Sequence, residues 1–142
     1  MISNYLPNVK AVITFLKLLN VKVNSKTVNE TLQNHPNWPS LLCISDTLNK
    51  WNIANGVGKI EPTHIDELPT PFMAYTVNKE RPLAIVTNIT ESIIEKRQTS
   101  YNKIELQNKT DFIKAWEGIY IIAETNEHSG EPNYKYSKRR AV

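Results

Sequence analysis

The side chains with the most chemical potential in this sequence are one thiol, Cys43, and three imidazoles, His35, His64 and His128. A cysteine acts as a nucleophile when its thiolate is stabilised, by a histidine neighbour or by a helix N-terminus. Cys43 follows Ser40, which reads as an N-cap, so the thiol falls in the first turn or so of a predicted helix, where the dipole helps slightly. His35 is nearby in sequence, but Pro36 and Pro39 lie between them and the spacing does not bring the two together. The ordinary reading of Cys43 is a packed or half-buried thiol. No pair of histidines has the spacing of a metal-binding helix, and one cysteine excludes both an internal disulfide and a cysteine-based zinc site. No metal is therefore expected, and the histidines read as surface or capping groups. The carboxylates Asp46, Asp66, Glu67 and Asp111 fall in first helical turns or loops, where they favour a helix dipole or a turn. Gly56-Val-Gly58 lacks the rest of a nucleotide fingerprint, and no cofactor is implied. Trp38, Trp51 and Trp116 could line a groove. Trp51 and Trp116 fall on apolar helical stripes and read as core, whereas Trp38, between Asn37 and Pro39, reads as partly exposed.

The elements that must position these groups are legible in outline. Val9, Val12, Ile13, Leu16 and Leu19 recur at helical spacing, Pro7 suits the first turn, and Asn20 can close the helix. A weaker helix is predicted over 26–34, capped by Ser25, carrying Val28 and Leu32 and lying at the surface. After the corner His35–Ser40, a third helix buries Leu41, Ile44, Leu48 and Trp51, with Cys43, Asp46 and Lys50 off that line. The period then changes. Short β-branched or aromatic runs follow at 53–60, 72–77, 83–89, 92–95 and 104–106, with a loop over 61–70. Asn108 caps a short helix carrying Phe112, Ile113 and Trp116, Gly118 ends it, and Ile119–Ala123 is a last strand. Helices followed by strands predict an α+β fold with an antiparallel sheet.

Length and charge set the outer limits. The chain has 142 residues, which suits one compact domain, and 40% hydrophobic and 22% charged residues, an ordinary globular composition. The net charge of +3 is concentrated at one end. Residues 135–142 carry Lys135, Lys138, Arg139 and Arg140 without an acid, and the rest is close to neutral. A nucleic-acid-binding body would need a basic face, so no nucleic-acid partner is expected. There is no membrane span and no signal peptide pattern. The expected organisation is a folded domain over 1–123 and a flexible basic tail over 124–142.

Three strings carry a resemblance: His35-Pro-Asn-Trp-Pro-Ser-Leu-Leu-Cys-Ile-Ser-Asp-Thr-Leu-Asn-Lys-Trp-Asn-Ile53, Glu67-Leu-Pro-Thr-Pro-Phe-Met-Ala-Tyr75 and Asp111-Phe-Ile-Lys-Ala-Trp-Glu-Gly-Ile119. In this order they resemble the papain-like cysteine peptidase domain that cuts double-glycine leaders at the front of bacteriocin-exporting ABC transporters. The first string looks closest to a Bacteroidetes-type branch fused to a vitamin K epoxide reductase-like membrane region. The resemblance covers about residues 5–123 and implies a papain-like fold, with N-terminal helices packed on an antiparallel sheet and a short helix before the last strand. It places Pro7 where the nucleophilic Cys would start the first helix, Pro82 where the His would begin a strand, and Lys96 near the orienting Asp. No Cys lies in residues 1–42 and no His in 65–127. Proline supplies neither nucleophile nor base, and an ammonium cannot accept the imidazole N–H.

The resemblance thus implies a degenerate peptidase-like domain, inactive and monomeric, at the cytoplasmic face of a bacterial inner membrane. It would dock a peptide or protein substrate, and Trp38, Tyr75 and Tyr101, as aromatics outside the clear core stripes, are the candidate groove residues. A membrane region would follow Val142 in cis, with Lys135, Lys138, Arg139 and Arg140 next to the membrane. Two alternatives stand beside this one. The domain could present substrate to, or regulate, a thiol–disulfide oxidoreductase in cis, or it could be an active peptidase using Cys43.

Overall fold

The computed structural model describes residues 5–132 and 134. The first helix, α1 (Pro7–Leu18), starts on Pro7 as predicted and buries Val9, Val12, Ile13, Phe15 and Leu16. It closes because Asn20 takes a left-handed conformation (φ +59°). The Asn20 N–H then bonds the Lys17 carbonyl at 3.1 Å and the Val21 N–H bonds the Leu16 carbonyl at 2.9 Å, which satisfies the last turn. Helix α2 (Ser25–Gln33) begins one residue earlier than predicted. Its cap is Asn24, not Ser25, whose position inside the helix leaves the capping role to the residue before it: the Asn24 side chain accepts from the Lys26 N–H at 2.9 Å. Nor is α2 merely a surface element, since Val28 and Leu32 are buried. Helix α3 (Leu41–Lys50) is capped by Ser40 as expected, with the Cys43 N–H donating to Ser40 Oγ at 3.3 Å.

Six antiparallel strands follow: β1 (Ala54–Lys59), β2 (Phe72–Thr76), β3 (Leu83–Ile89), β4 (Ile93–Arg97), β5 (Glu105–Asn108) and β6 (Trp116–Glu124). The sheet order is β1-β6-β2-β3-β4-β5, so the last strand enters between the first two. The predicted α+β class is observed. The strands alternate in the pattern a two-faced sheet requires. Met73, Leu83, Ile85 and Ile121 face a core shared with α1, α2 and α3. Phe72, Ala74, Ala84, Val86 and Ile94 face the other way, under a short helix α4 (Lys109–Lys114) and a 3-10 turn over Pro62–Glu67.

Two expectations about the end of the domain change. Asn108 caps α4, accepting from the Thr110 and Asp111 N–H groups at 2.9 and 3.3 Å, but the helix stops at Lys114. Trp116 therefore belongs to β6, not to a helical stripe. It is buried all the same, its ring centroid 6.0 Å from Phe72 and 5.9 Å from Phe112, with its indole N–H on the Ile119 carbonyl at 2.8 Å. Gly118 likewise lies inside β6 and does not end the helix.

The chain also continues as ordered structure past 123. Beyond β6 the Gly130 N–H donates to the Trp51 carbonyl (2.7 Å) and the Glu131 N–H to the Lys22 carbonyl (2.9 Å). The Glu131 carboxylate accepts from the Asn24 N–H at 2.8 Å and the Thr27 hydroxyl at 3.1 Å. This return segment ties the end of the described chain to the start of α2. The basic residues Lys135, Lys138, Arg139 and Arg140 lie outside the described residues. No helix among the described residues is long and apolar enough to cross a membrane.

Gly118 is the tightest point of the sheet. Its φ is +93°, and a Cβ there would stand 1.8 Å from the Ile60 carbonyl oxygen. Gly118→Ala is expected to lose roughly 2–3 kcal/mol of unfolding free energy, measured by urea denaturation, through strain and collision with backbone that has no room to retreat.

Candidate functional site

Packing of α1 across β3 brings the first turn of α1 to the beginning of β3. A cleft of about 380 Å³ forms there, and Leu6, Pro7, Trp38, Tyr75 and Pro82 are among its lining. Each wall has a local cause. Pro7 stands at the helix start because its missing N–H is one that the first turn leaves unpaired anyway. Pro82 immediately precedes β3, and its carbonyl accepts both the Thr76 N–H (2.6 Å) and the Thr76 hydroxyl (2.9 Å). That clamp pins it against the end of β2. The register Tyr75↔Leu83 sets the Tyr75 ring beside Pro82. The intervening turn is held by the Asn78 side chain, which accepts from the Glu80 and Arg81 N–H groups at 3.0 Å each. Trp38 is half-buried against the helical core, from the rigid corner between α2 and α3.

The cleft mixes apolar and aromatic walls with polar ones. Leu6 is 49% and Tyr75 40% exposed, and the polar lining groups are Asn8, Lys79 and Glu80. Among the described residues no thiol and no imidazole lines it. The structure thus brings together four of the residues singled out from sequence, Pro7, Trp38, Tyr75 and Pro82.

Lys96 is not in the cleft but is linked to it. It is buried on β4 opposite Val86. Its ammonium donates to Gln98 Oε1 at 2.6 Å, and Gln98 Nε2 donates to the Arg81 carbonyl at 2.6 Å, one residue before Pro82. Gln98 was not visible in the sequence as a site residue, since no spacing marks a side chain that bridges a hairpin. Tyr101 lies elsewhere. The Lys17 ammonium is 5.3 Å and the Arg97 guanidinium 5.7 Å from its ring, and it lines a second cavity that shares no residue with the first.

Cys43 is fully buried, the packed thiol expected of it, because α2 covers its side of α3 although it lies off the stripe of Ile44 and Leu48. Its Sγ donates to the Leu32 carbonyl at 3.6 Å. Burial pushes its pKa up, the Thr47 hydroxyl opposes this, and the Asp46 carboxylate adds to the rise. His35 does not approach the thiol. Its Nε2 lies 3.1 Å from Asp46 Oδ2 and its Nδ1 accepts from the Asn37 N–H at 3.0 Å, so the ring bridges the corner to α3. His64 pairs with Glu67 (3.2 Å) and His128 with Glu127 (3.3 Å), both exposed. Among the described residues no three His, Cys, Asp or Glu side chains form a metal-binding group.

Helices stacked on one face of an antiparallel sheet, with a cleft between the first helix and the third strand, define the papain-like cysteine peptidase fold. Particular structures sharpen this. A double-glycine-motif protease from an AMS/PCAT transporter, solved in complex with its leader peptide, superposes with a TM-score of 0.74 at 10% identity, covering 85% of each chain. The peptidase domain of Streptococcus ComA, a bifunctional ABC transporter of a quorum-sensing pathway, gives 0.71 at 15% identity, over 84% of this chain and 91% of that one. The N-terminal peptidase C39-like domain of a toxin secretion ATP-binding protein from Vibrio parahaemolyticus gives 0.68 at 13% identity, over 85% and 98%. By sequence, neither a family model nor a curated protein matches. The fold is that of the C39-like peptidase domains of ABC transporters.

Two measurements check this account of the buried groups. A raised pKa and full burial predict that Cys43 reacts with a disulfide reagent at neutral pH far more slowly in the native chain than in urea, where it reacts like a free cysteine. For Lys96, burial lowers the pKa below 10.5, while Glu105 opposes the shift. Between the lowered value and 10.5 the unfolded chain holds the extra proton, so stability gains from this group as pH rises. Lys96→Met is therefore expected to show its most favourable stability difference from wild type near neutrality. That difference should shrink as pH approaches 10.5, measured by denaturation at each pH.

Proposed function

We propose that this chain is a catalytically inactive peptidase-like module that docks a peptide or protein substrate for a bacterial membrane protein. The observation that carries the reading is the cleft between α1 and β3. Pro7 and Pro82 both line it, and the chain's one thiol is packed 0% exposed in the core. Hydrolysis by a cysteine mechanism needs a thiolate activated by a neighbouring base, and among the described residues the cleft lining contains no thiol and no imidazole. A groove walled by Leu6, Trp38 and Tyr75 suits an extended peptide with apolar side chains, since aromatic rings give large contact area at low entropic cost. The leader peptide bound to the AMS/PCAT-transporter protease supports a peptide as the occupant. Tyr101, outside this cleft, has no part in the reading. The parent protein is an ABC exporter or a vitamin K epoxide reductase-like oxidoreductase, with its membrane region following Val142. The isolated domain is a monomer held at the cytoplasmic face of the inner membrane.

The test is a titration of the isotopically labelled chain with a synthetic leader-type peptide ending in Gly-Gly, followed by amide NMR and by mass spectrometry of the peptide. Expected are shifts confined to the surroundings of Leu6, Trp38 and Tyr75, an intact peptide, and about tenfold or greater weakening in Trp38→Ala and Tyr75→Ala. Absence of shifts would remove the docking role. Cleavage that disappears in Cys43→Ala would establish an active peptidase instead.

A further inference from the structure

The second cavity, about 660 Å³, is lined by Lys17, Lys22 and Lys26 together with Tyr5, Tyr101 and Tyr134, and among the described residues by no acidic side chain. From the geometry and charge of this cavity we infer that it is a docking face for an anionic phospholipid surface, with the lysines reaching lipid phosphates. The inference is independent of whether the α1–β3 cleft binds peptide.

Three observations support it. The first is charge segregation. Residues 1–29 contain four lysines and no Asp or Glu, and residues 132–142 contain four basic residues and no acid. Every one of the fourteen acids lies in residues 30–131, beside nine basic groups. The fold brings the acid-free N-terminal stretch and Tyr134 together: the return segment bonds Lys22 and Asn24, and Tyr134 lines the same cavity as Lys17.

The second is the unspent charge of the lysines. Among the described residues no carboxylate pairs with Lys17, Lys22 or Lys26. The nearest acid, Glu131, has its two oxygens on the Asn24 N–H and the Thr27 hydroxyl. Lys17 instead stacks on Tyr101, a contact that leaves its positive charge uncancelled.

The third is the kind of aromatic residue present. Tyrosine with lysine is the pairing that sits at headgroup level in a membrane interface. The exposed large apolar side chains lie elsewhere, and none lines this cavity. Attachment is thus electrostatic and peripheral, worth about 1 kcal/mol per lysine near an anionic surface and weakened by salt.

The experiment is co-sedimentation of the full chain with vesicles of phosphatidylcholine alone or mixed with phosphatidylglycerol, at low and physiological salt. The same measurement is made on Lys17→Gln/Lys22→Gln/Lys26→Gln and on a chain with the four tail cations changed to Gln. Circular dichroism confirms that each is folded. Expected is binding to the phosphatidylglycerol vesicles alone, falling with salt and weakened roughly a hundredfold in the cavity variant. In a short-chain phosphatidylglycerol titration, amide shifts should centre on residues 17–26 and Tyr101. Three outcomes would overturn the inference. One is no binding to the anionic vesicles. Another is binding lost with the tail cations but kept by the cavity variant. The last is cavity-dependent capture of inorganic phosphate or a DNA duplex without vesicle binding.

Discussion

The architecture depends on one insertion: β6, the last strand, must enter between β1 and β2. Until residues 116–124 are in place, β1 has no partner and the cleft-bearing β2–β3 hairpin is not joined to it. This closure is non-local, joining the ends of the strand region across some sixty residues of sequence, and such pairings form late because chain entropy must be overcome first. The sequence equips β6 for it. Trp116 anchors one end between Phe72 and Phe112, Gly118 lets the backbone pass Ile60, and Ile121 completes the helical core.

The cleft follows from that closure together with α1. No residue in it is positioned by its neighbours in sequence alone. Pro7, Trp38, Tyr75 and Pro82 come from a helix start, a proline corner, a strand end and a strand start, and they meet because the two cores on either side of the sheet fix those elements. The scaffold holds Leu6, Trp38, Tyr75 and the two prolines in one cleft beside Asn8, Lys79 and Glu80. Hydrogen bonding is directed into support: Thr76 clamps Pro82, and Lys96 with Gln98 holds Arg81.

Much of the fold was legible because periodicity and capping act locally. Val9, Val12, Ile13 and Leu16 announce α1, Ser40 and Asn108 announce their helices, and the change to short β-branched runs announces the sheet. Cys43 reads as a packed thiol from its residue type and is one, although it lies off the stripe of α3, since α2 lies over it. Failures came where tertiary contact overrides local pattern. Trp116 is four residues after Phe112, a helical spacing, but its burial is satisfied equally by a strand once α4 stops at Lys114. Residues 125–131 are polar and aperiodic, and their order comes from hydrogen bonds to Lys22, Asn24, Thr27 and Trp51 that no local pattern reveals. Of the cleft residues, Pro7 and Pro82 could be placed from resemblance and Trp38 and Tyr75 as aromatics outside the core stripes, none of them from spacing. Tyr101, chosen as an aromatic outside the core stripes, turned out to serve a different cavity.

The return segment has a topological consequence. Glu131 is bonded to the start of α2, and Tyr5 and Tyr134 line one cavity, so the two limits of the described chain are near neighbours. A domain with adjacent ends behaves as a loop-insertable unit: it can be re-cut at an exposed turn and its old ends joined without unpicking either core. The turn around Asn78–Glu80, with its own side-chain hydrogen bonds, borders the cleft and is a poor place for the new break. The exposed Asn102–Lys103 turn between β4 and β5 lies at the far edge of the sheet and would leave the closure strand whole.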